Sequence, residues 1–367
     1  MGSCASSLRG VRPAVIAVVF LVLILAAGAI GALRPDQVPA FQQATPPPRK
    51  QLGVRRRRPP GSKLLPRGVM QRTTNLEMEA SLSGDPERRT RQPPAPKKSL
   101  LAVPVGIANK AVVGRMVSKF VDAGFSVVLF HYDGTVEQWA DMEWSDRVVH
   151  VVARKQTKWW FAKRFLHPDV VAEYEFIFLW DEDIEVDDFH PARYVEIART
   201  EGLEVSQPAL DRRSQIHHAI TARPLVPTGD THRRAQSTRC NANSKGPPCA
   251  GWVEMMVPVF SRAAWRCTWE LVQNDLIHGW GLDYKLGYCA KGDRARAVGV
   301  VDSEYVLHRG QSMLGDGAKA TDSSGRGAVR WRSFKEMMMF NKRWAEAAAK
   351  DKSWLDPYAE QPTAGSK

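Results

Sequence analysis

The stretch from Tyr174 to Asp183 constrains this chain most. It reads Tyr-Glu-Phe-Ile-Phe-Leu-Trp and then Asp181-Glu182-Asp183. The apolar run 176–180 is too short for a helix and is aromatic and β-branched, as in a strand buried within a covered sheet. Three carboxylates end it abruptly. In extended chain, residues i and i+2 face one side, so Asp181 and Asp183 converge while Glu182 points away. Oxygen ligands of this kind suit Mg²⁺ or Mn²⁺. Ligands of open α/β sheets gather beyond the carboxyl ends of strands. A solvated acidic turn is the competing reading of the same residues.

The flanking sequence reads as alternating strands and helices. Residues 100–107 form an apolar strand. Val112, Val113, Met116, Val117, Phe120 and Val121 recur at helical spacing, and Gly124 stops that helix. Residues 125–130 are a second strand ending at His131-Tyr132-Asp133-Gly134. This is a βαβ unit, which requires a parallel sheet with a right-handed crossover. No Gly-x-Gly-x-x-Gly occupies its first turn, so nothing supports the usual dinucleotide fold. Asp133 sits at a strand end, where it binds a ribose or base, or else only makes an Asp-Gly turn. A third strand covers 148–152, and a helix covers 155–165. The cations of that helix, Lys158, Lys163 and Arg164, either meet a diphosphate or are solvated.

After the carboxylates, residues 191–200 are helical, capped by Gly202, and 203–210 form a strand. Residues 211–250 are irregular. Their His217, His218, His232, Cys240 and Cys249 lack zinc-site spacing. Residues 255–260 read as a strand and 262–276 as a helix N-capped by Ser261, with Trp265 and Trp269 as core. Gly279-Trp280-Gly281-Leu282-Asp283 is an aromatic turn ending in a carboxylate, either a helix-start charge or a general base. A strand at 297–301 is closed by Asp302–Gly310. There His308 is a surface histidine or an imidazole that completes a carboxylate metal site. Residues 333–355 read as a closing helix.

The N-terminal part has another character. Residues 14–33 carry no charge and match a bilayer's hydrocarbon thickness as a helix. We read an uncleaved signal-anchor, with a cleaved signal peptide as the competitor. Met1-Gly2-Ser3-Cys4 also fits an acylation pattern. Residues 34–98 are rich in Pro and Arg, without apolar periodicity, and read as an extended stem. Residues 1–98 hold 17 Lys+Arg against 5 Asp+Glu, whereas the remainder holds 35 against 34. The excess charge thus belongs to the tail, and the domain has no overall footprint for nucleic acid. The domain's four cysteines, Cys240, Cys249, Cys267 and Cys289, allow two disulfides in an oxidising lumen, in any of three pairings, or free thiols.

Several long runs carry a resemblance. They are Leu101-Ala102-Val103-Pro104-Val105-Gly106, Phe130-His131-Tyr132-Asp133-Gly134, the run from Gln156 to Pro168, Leu179-Trp180-Asp181-Glu182-Asp183 and Asp302-Ser303-Glu304-Tyr305. With them, residues 99–317 resemble the plant family called domain of unknown function 707, often labelled "lysine ketoglutarate reductase trans-splicing related". No residue here supports the reductase label. The order Asp-x-Asp, Gly-Trp-Gly-Leu-Asp and late His is similar to the GT-A class of nucleotide-sugar glycosyltransferases.

That likeness implies an α/β fold, a GT-A-like mixed, mainly parallel sheet flanked by helices. A short tail (1–13), a transmembrane helix (14–33) and a disordered stem (34–98) precede it, and a linker with a C-terminal helix (318–367) follows. It also implies roles. Asp181, Asp183 and His308 hold Mn²⁺ or Mg²⁺ against the diphosphate of a nucleotide-sugar, a UDP-sugar in the first instance. Asp133 contacts the nucleoside, and Glu182, Lys163 and Arg164 are counted with it as donor-binding. Glu254 faces donor sugar or acceptor, and Asp283 deprotonates the attacking hydroxyl if configuration inverts. The expected partners are a membrane, a nucleotide-sugar and a glycan or other hydroxyl acceptor, with no nucleic acid. The expected place is the Golgi or another endomembrane, in type II orientation. Two rival functions use the same residues: a non-catalytic carbohydrate-binding or interaction protein, and a metal-dependent phosphohydrolase.

Overall fold

The computed structural model describes Leu65 and residues 98–310 and 326–358. The chain divides into units Met1–Arg57 and Arg58–Lys367. The first unit, with the expected span at 14–33, lies outside the described residues, as does nearly all of the expected stem. Among the described residues no helix is long and apolar enough to cross a membrane.

The βαβ unit forms as its periodicity dictates. Strand β1 (Lys98–Val105) leads through helix α1 (Lys110–Asp122) to β2 (Ser126–His131), and the two strands pair in parallel. Next come β3 (Val149–Val152), α2 (Lys158–Phe165), β4 (Tyr174–Leu179) and the two-residue β5 (Ile184–Glu185). They are followed by α3 (Pro191–Thr200), β6 (Val205–Leu210), β7 (Thr231–His232), β8 (Val259–Ser261) and α4 (Arg262–Leu271). The chain closes with α5 (Asp283–Leu286), α6 (Arg294–Ala297), β9 (Val298–His308) and α7 (Arg326–Lys350).

One sheet orders the strands β3-β2-β1-β4-β8-β6-β9-β5, with β7 also on β9. The longer strands β1, β2, β4, β6 and β9, together with β3, share one direction; β8, β5 and β7 run against it. The carboxyl ends of the longer strands therefore meet at one edge. Because β8 is antiparallel, the segment entering it reaches that same edge.

Alternation along each strand sends side chains to two cores. Leu100 and Ala102 of β1 and Ile177 and Leu179 of β4 face one side, packed with Phe161, Trp265 and Trp269 of α2 and α4. Leu101, Val103, Phe176 and Phe178 face the other, against Phe120 of α1 and Tyr194 of α3. This is the period-2 pattern of a sheet covered on both faces.

The helix expected at 262–276 ends at Leu271, and the one expected at 333–355 covers Arg326–Lys350; three further differences bear on the site. Strand β8 is three residues long, because residues 255–258 run as a loop whose carbonyls serve the neighbouring site. Strand β9 does not stop at Val301. Pro208 pairs with Val301 but Ala209 with Tyr305, so Asp302, Ser303 and Glu304 bulge out and the strand resumes to His308. The polar bulge resembles a loop in sequence, yet its charges are buried and paired: Asp302 with His232 at 2.7 Å, and Glu304 with His190 and Arg193. The first core also extends beyond residues 99–317. It takes in Leu65 from the segment read as stem, and Phe340, Trp344 and Trp354 from the closing segment. The disulfides are Cys240–Cys249 and Cys267–Cys289, which leaves neither Cys240 nor Cys249 as a zinc thiolate.

Candidate functional site

The end of β4 is held on both sides. Trp180 N donates to Ala102 O at 3.1 Å, and Asp181 N donates to Met256 O at 2.8 Å. The following carboxylates then separate. Glu182 turns toward the ends of β1 and β2, where its Oε2 accepts from Gly106 N at 2.6 Å and its Oε1 accepts from Tyr132 Oη. A Cβ on residue 106 would run into the Tyr132 ring, so only glycine lets the backbone approach this carboxylate. Burial pushes the Glu182 carboxyl up to about 7, against these hydrogen bonds.

Asp183 turns the other way, to His308. Register sets this meeting: Ile184 pairs with His308 in the antiparallel β5–β9 ladder. His308 Nε2 stands 3.3 Å from Asp183 Oδ2. Its Nδ1 faces Gln215 O at 3.4 Å, which assigns the Nδ1 proton to that contact and leaves Nε2 for the acids. Burial lowers the imidazole's proton affinity, but the Asp183 and Asp181 carboxylates outweigh it and raise it overall.

Asp181 has a cation of its own. Lys158, the first residue of α2, is buried, and its Nζ donates to Asp181 Oδ1 at 2.6 Å and to Met255 O at 2.6 Å. Thr157 caps α2 by accepting from Trp160 N, which fixes the start of the helix against the acids. Burial holds the Asp181 carboxyl above its usual range although Lys158 pulls the other way.

Two further acids complete the cluster. Glu254 lies before β8 on the shared edge, its N–H donating to Gln207 Oε1 at 2.7 Å. Among the described residues its buried Oε2 has no hydrogen-bond partner. Burial pushes Glu254 up to about 7, with the charges of Asp283 and Asp181 adding to that rise and His308 opposing it. Asp283 begins α5, and burial pushes it up to about 6. Its segment is held by α7. Glu336 Oε2 accepts from His278 N at 2.8 Å. Gly281, at φ +93°, lies where a Cβ would press on Met337 and Phe340. Exposed Trp280 precedes Asp283, and Tyr284 after it stacks on Trp252 at 5.0 Å.

The remaining expected residues have other partners. Asp133 is a turn anchor: its Oδ2 accepts from Ile107 N at 2.7 Å and its Oδ1 from Thr135 N at 3.0 Å. Burial opposes ionisation there, but these N–H groups outweigh it and hold the carboxyl low. Lys163 points into the helix packing, with Nζ on Trp269 O at 2.8 Å and 3.6 Å above the Trp269 ring. Arg164 stacks on Trp160 at 4.1 Å. Neither meets the acids, because helical spacing turns both away from the face that carries Lys158. Sequence reasoning missed Lys158 as the resident cation, along with Tyr132, Gly106 and Glu336. Lys158 was visible only as one of three helix cations, and Gly106 and Tyr132 only as members of longer runs, with nothing in the sequence to tie any of them to the acids.

The donor set suits a hard divalent cation: Asp181 and Asp183 oxygens, His308 nitrogen and an orphaned Glu254 oxygen. As arranged, no group of three His, Cys, Asp or Glu among the described residues stands ready to hold a metal ion. Asp181 is engaged by Lys158 instead.

Solved structures resemble the chain distantly. The crystal structure of S. aureus TarS 1-349 matches at 10% identity and TM-score 0.35, over 58% of this chain and 60% of that one. TarS 1-349 in complex with UDP matches at 13% identity and TM-score 0.37, over 68% and 70%. The mannosyltransferase Ktr4p from S. cerevisiae matches at 9% identity and TM-score 0.30, over 62% and 72%. These likenesses are too weak to assign an activity. No curated protein matches the chain. One family model does match, over residues 56–350, most of the sequence and every residue of the acidic cluster. The chain belongs to the family described as "Protein of unknown function (DUF707)".

Proposed function

We propose that this protein is a membrane-anchored glycosyltransferase that uses a divalent metal and a nucleotide-sugar donor. The observation that carries this reading is the gathering of Asp181, Asp183, Glu254, Asp283 and His308 at the carboxyl edge of one sheet, where Asp181, Glu254 and Asp283 are held above their usual proton affinity. Crowded, half-buried carboxylates of this kind are neutralised by a cation or by protons.

Asp183, His308 and Asp181 would hold Mn²⁺ or Mg²⁺. The bound ion supplies charge neutralisation on the departing nucleoside diphosphate. The protein's own groups do the rest. Asp283, near pH 6, is ionised at neutrality and accepts the proton of the acceptor hydroxyl at its carboxylate, for an inverting transfer. Glu254, near 7, is partly protonated and offers its unpartnered Oε2 to a sugar hydroxyl. Exposed Trp280 and Tyr284 flank Asp283 and offer apolar faces to a glycan acceptor. The uncharged segment 14–33 anchors the protein in a Golgi-type membrane, and two disulfides suit an oxidising lumen.

The test is to incubate the full-length protein, purified in detergent, with Mn²⁺, a panel of UDP-sugars and glycan acceptors. The expected products are free UDP and an extended acceptor, with kcat lowered on the order of a hundredfold or more in Asp283→Asn. Release of phosphate without sugar transfer would point to a phosphohydrolase instead. Sugar binding without any product would point to a binding protein.

A further inference from the structure

Lys158 is unusual for a lysine. It is 6% exposed, and its ammonium donates to Asp181 Oδ1, Met255 O and, at 3.4 Å, Met256 O. All of its hydrogen-bonding capacity is used within the site. The Mg²⁺–oxygen distance is about 2.0–2.1 Å. Nζ lies 2.6 Å from Asp181 Oδ1, so a cation on that oxygen would stand no farther than about 5 Å from the ammonium. Two positive charges at that separation, in a buried site, repel strongly. Lys158 and a divalent ion therefore compete directly for Asp181 Oδ1 and repel one another across the carboxylate.

We propose that Lys158 is a resident counter-ion that a divalent cation must displace from Asp181, so that the empty site stays balanced and binds metal weakly until an anionic ligand offers the lysine a new partner. This rests on the metal role given above to Asp181, Asp183 and His308. A diphosphate is such a ligand: it brings acceptor oxygens for Nζ as the metal takes the carboxylate. Lys158 is thus a specificity-determining residue that favours joint binding of metal and phosphate over metal alone.

The test uses Mn²⁺ alone as the probe and reads direct binding, not activity. Free Mn²⁺ is followed by electron paramagnetic resonance during titration of the full-length protein, the Lys158→Met and Lys158→Gln variants, and Asp183→Asn. Thermal melts check that each variant is folded, and two different neutral side chains guard against one that packs badly. The expected result is Mn²⁺ affinity higher in both Lys158 variants, on the order of tenfold or more, and lost in Asp183→Asn. If Asp183→Asn abolishes binding while both folded Lys158 variants bind as the unaltered protein does, or more weakly, the counter-ion role is overturned and the metal site stands. If no protein binds Mn²⁺, the metal site itself fails, and the counter-ion role with it.

Discussion

His308 Nε2 stands 3.3 Å from Asp183 Oδ2, although Asp183 follows β4 and His308 ends β9. The ladder that brings them together is only two residues deep on the β5 side, Ile184 with His308 and Glu185 with Leu307. Arg309 reinforces it, with its N–H on Asp183 O at 3.3 Å and its Nε on Glu185 Oε1 at 2.6 Å. The bulge at Asp302–Glu304 shifts the register of β9 before this ladder begins.

Replacing Gly106 by Ala forces a methyl group into the Tyr132 ring and disturbs the bond from residue 106 to Glu182. The expected loss of stability is about 1–3 kcal/mol. Tyr132→Phe leaves Glu182 short of one donor and costs about 1–2 kcal/mol. Chemical denaturation of the three proteins checks both values.

Lys163 should behave as a packing residue. Its amine sits over Trp269 and bonds the Trp269 carbonyl, and burial lowers it to about 8. Lys163→Met is expected to cost about 1–2 kcal/mol of stability and to leave Mn²⁺ binding unchanged. A change in Mn²⁺ affinity in a variant of intact stability would place Lys163 in the site after all.

His131 gives a pH signature. It is fully buried and stacks with His150, Nε2 to Nδ1 at 2.8 Å. Burial, with the His150 charge adding to it, lowers its pKa to about 4. The unfolded chain, with a value near 6.5, binds more protons than the folded one between those limits. Stability should therefore fall as pH drops from 6.5 toward 4, by up to about 3 kcal/mol from this group. His131→Gln should flatten that part of the profile, as read by thermal melts across pH.

The Cys267–Cys289 bridge ties α4 to the segment that follows α5 and its Asp283. Its closed loop, with a sequence separation of 22, predicts a loss of about 2–4 kcal/mol in a Cys267→Ser/Cys289→Ser variant. The same variant should lose kcat in the transfer assay more than it changes UDP affinity, because Asp283 is the group that loosens.

Much of the scaffold was legible because local pattern decides it. The six apolar positions from Val112 to Val121 mark α1, Pro191 opens α3, and Ser261 caps α4. The abrupt end of β4 just before Asp181 was legible in the same way, from an apolar run that stops at three carboxylates. Other features were not legible, because tertiary partners decide them. Asp302 and Glu304 look solvated until His232, His190 and Arg193 arrive to pair with them. Lys158, Lys163 and Arg164 look alike on one short helix, and only packing against Trp269 and Trp160 separates the residue that faces Asp181 from the two that do not. The closing helix was expected at 333–355 and covers Arg326–Lys350; its bounds were hard to read because its core residues, Phe340, Trp344 and Ala347, are sparse on a long charged surface.

The most direct measurement is UDP binding to the full-length protein with and without Mn²⁺, in the unaltered chain and in Asp183→Asn and His308→Ala. The account predicts that Mn²⁺ tightens UDP binding on the order of tenfold or more, and that each substitution removes this gain. UDP binding indifferent to Mn²⁺, or a gain that survives both substitutions, would contradict it.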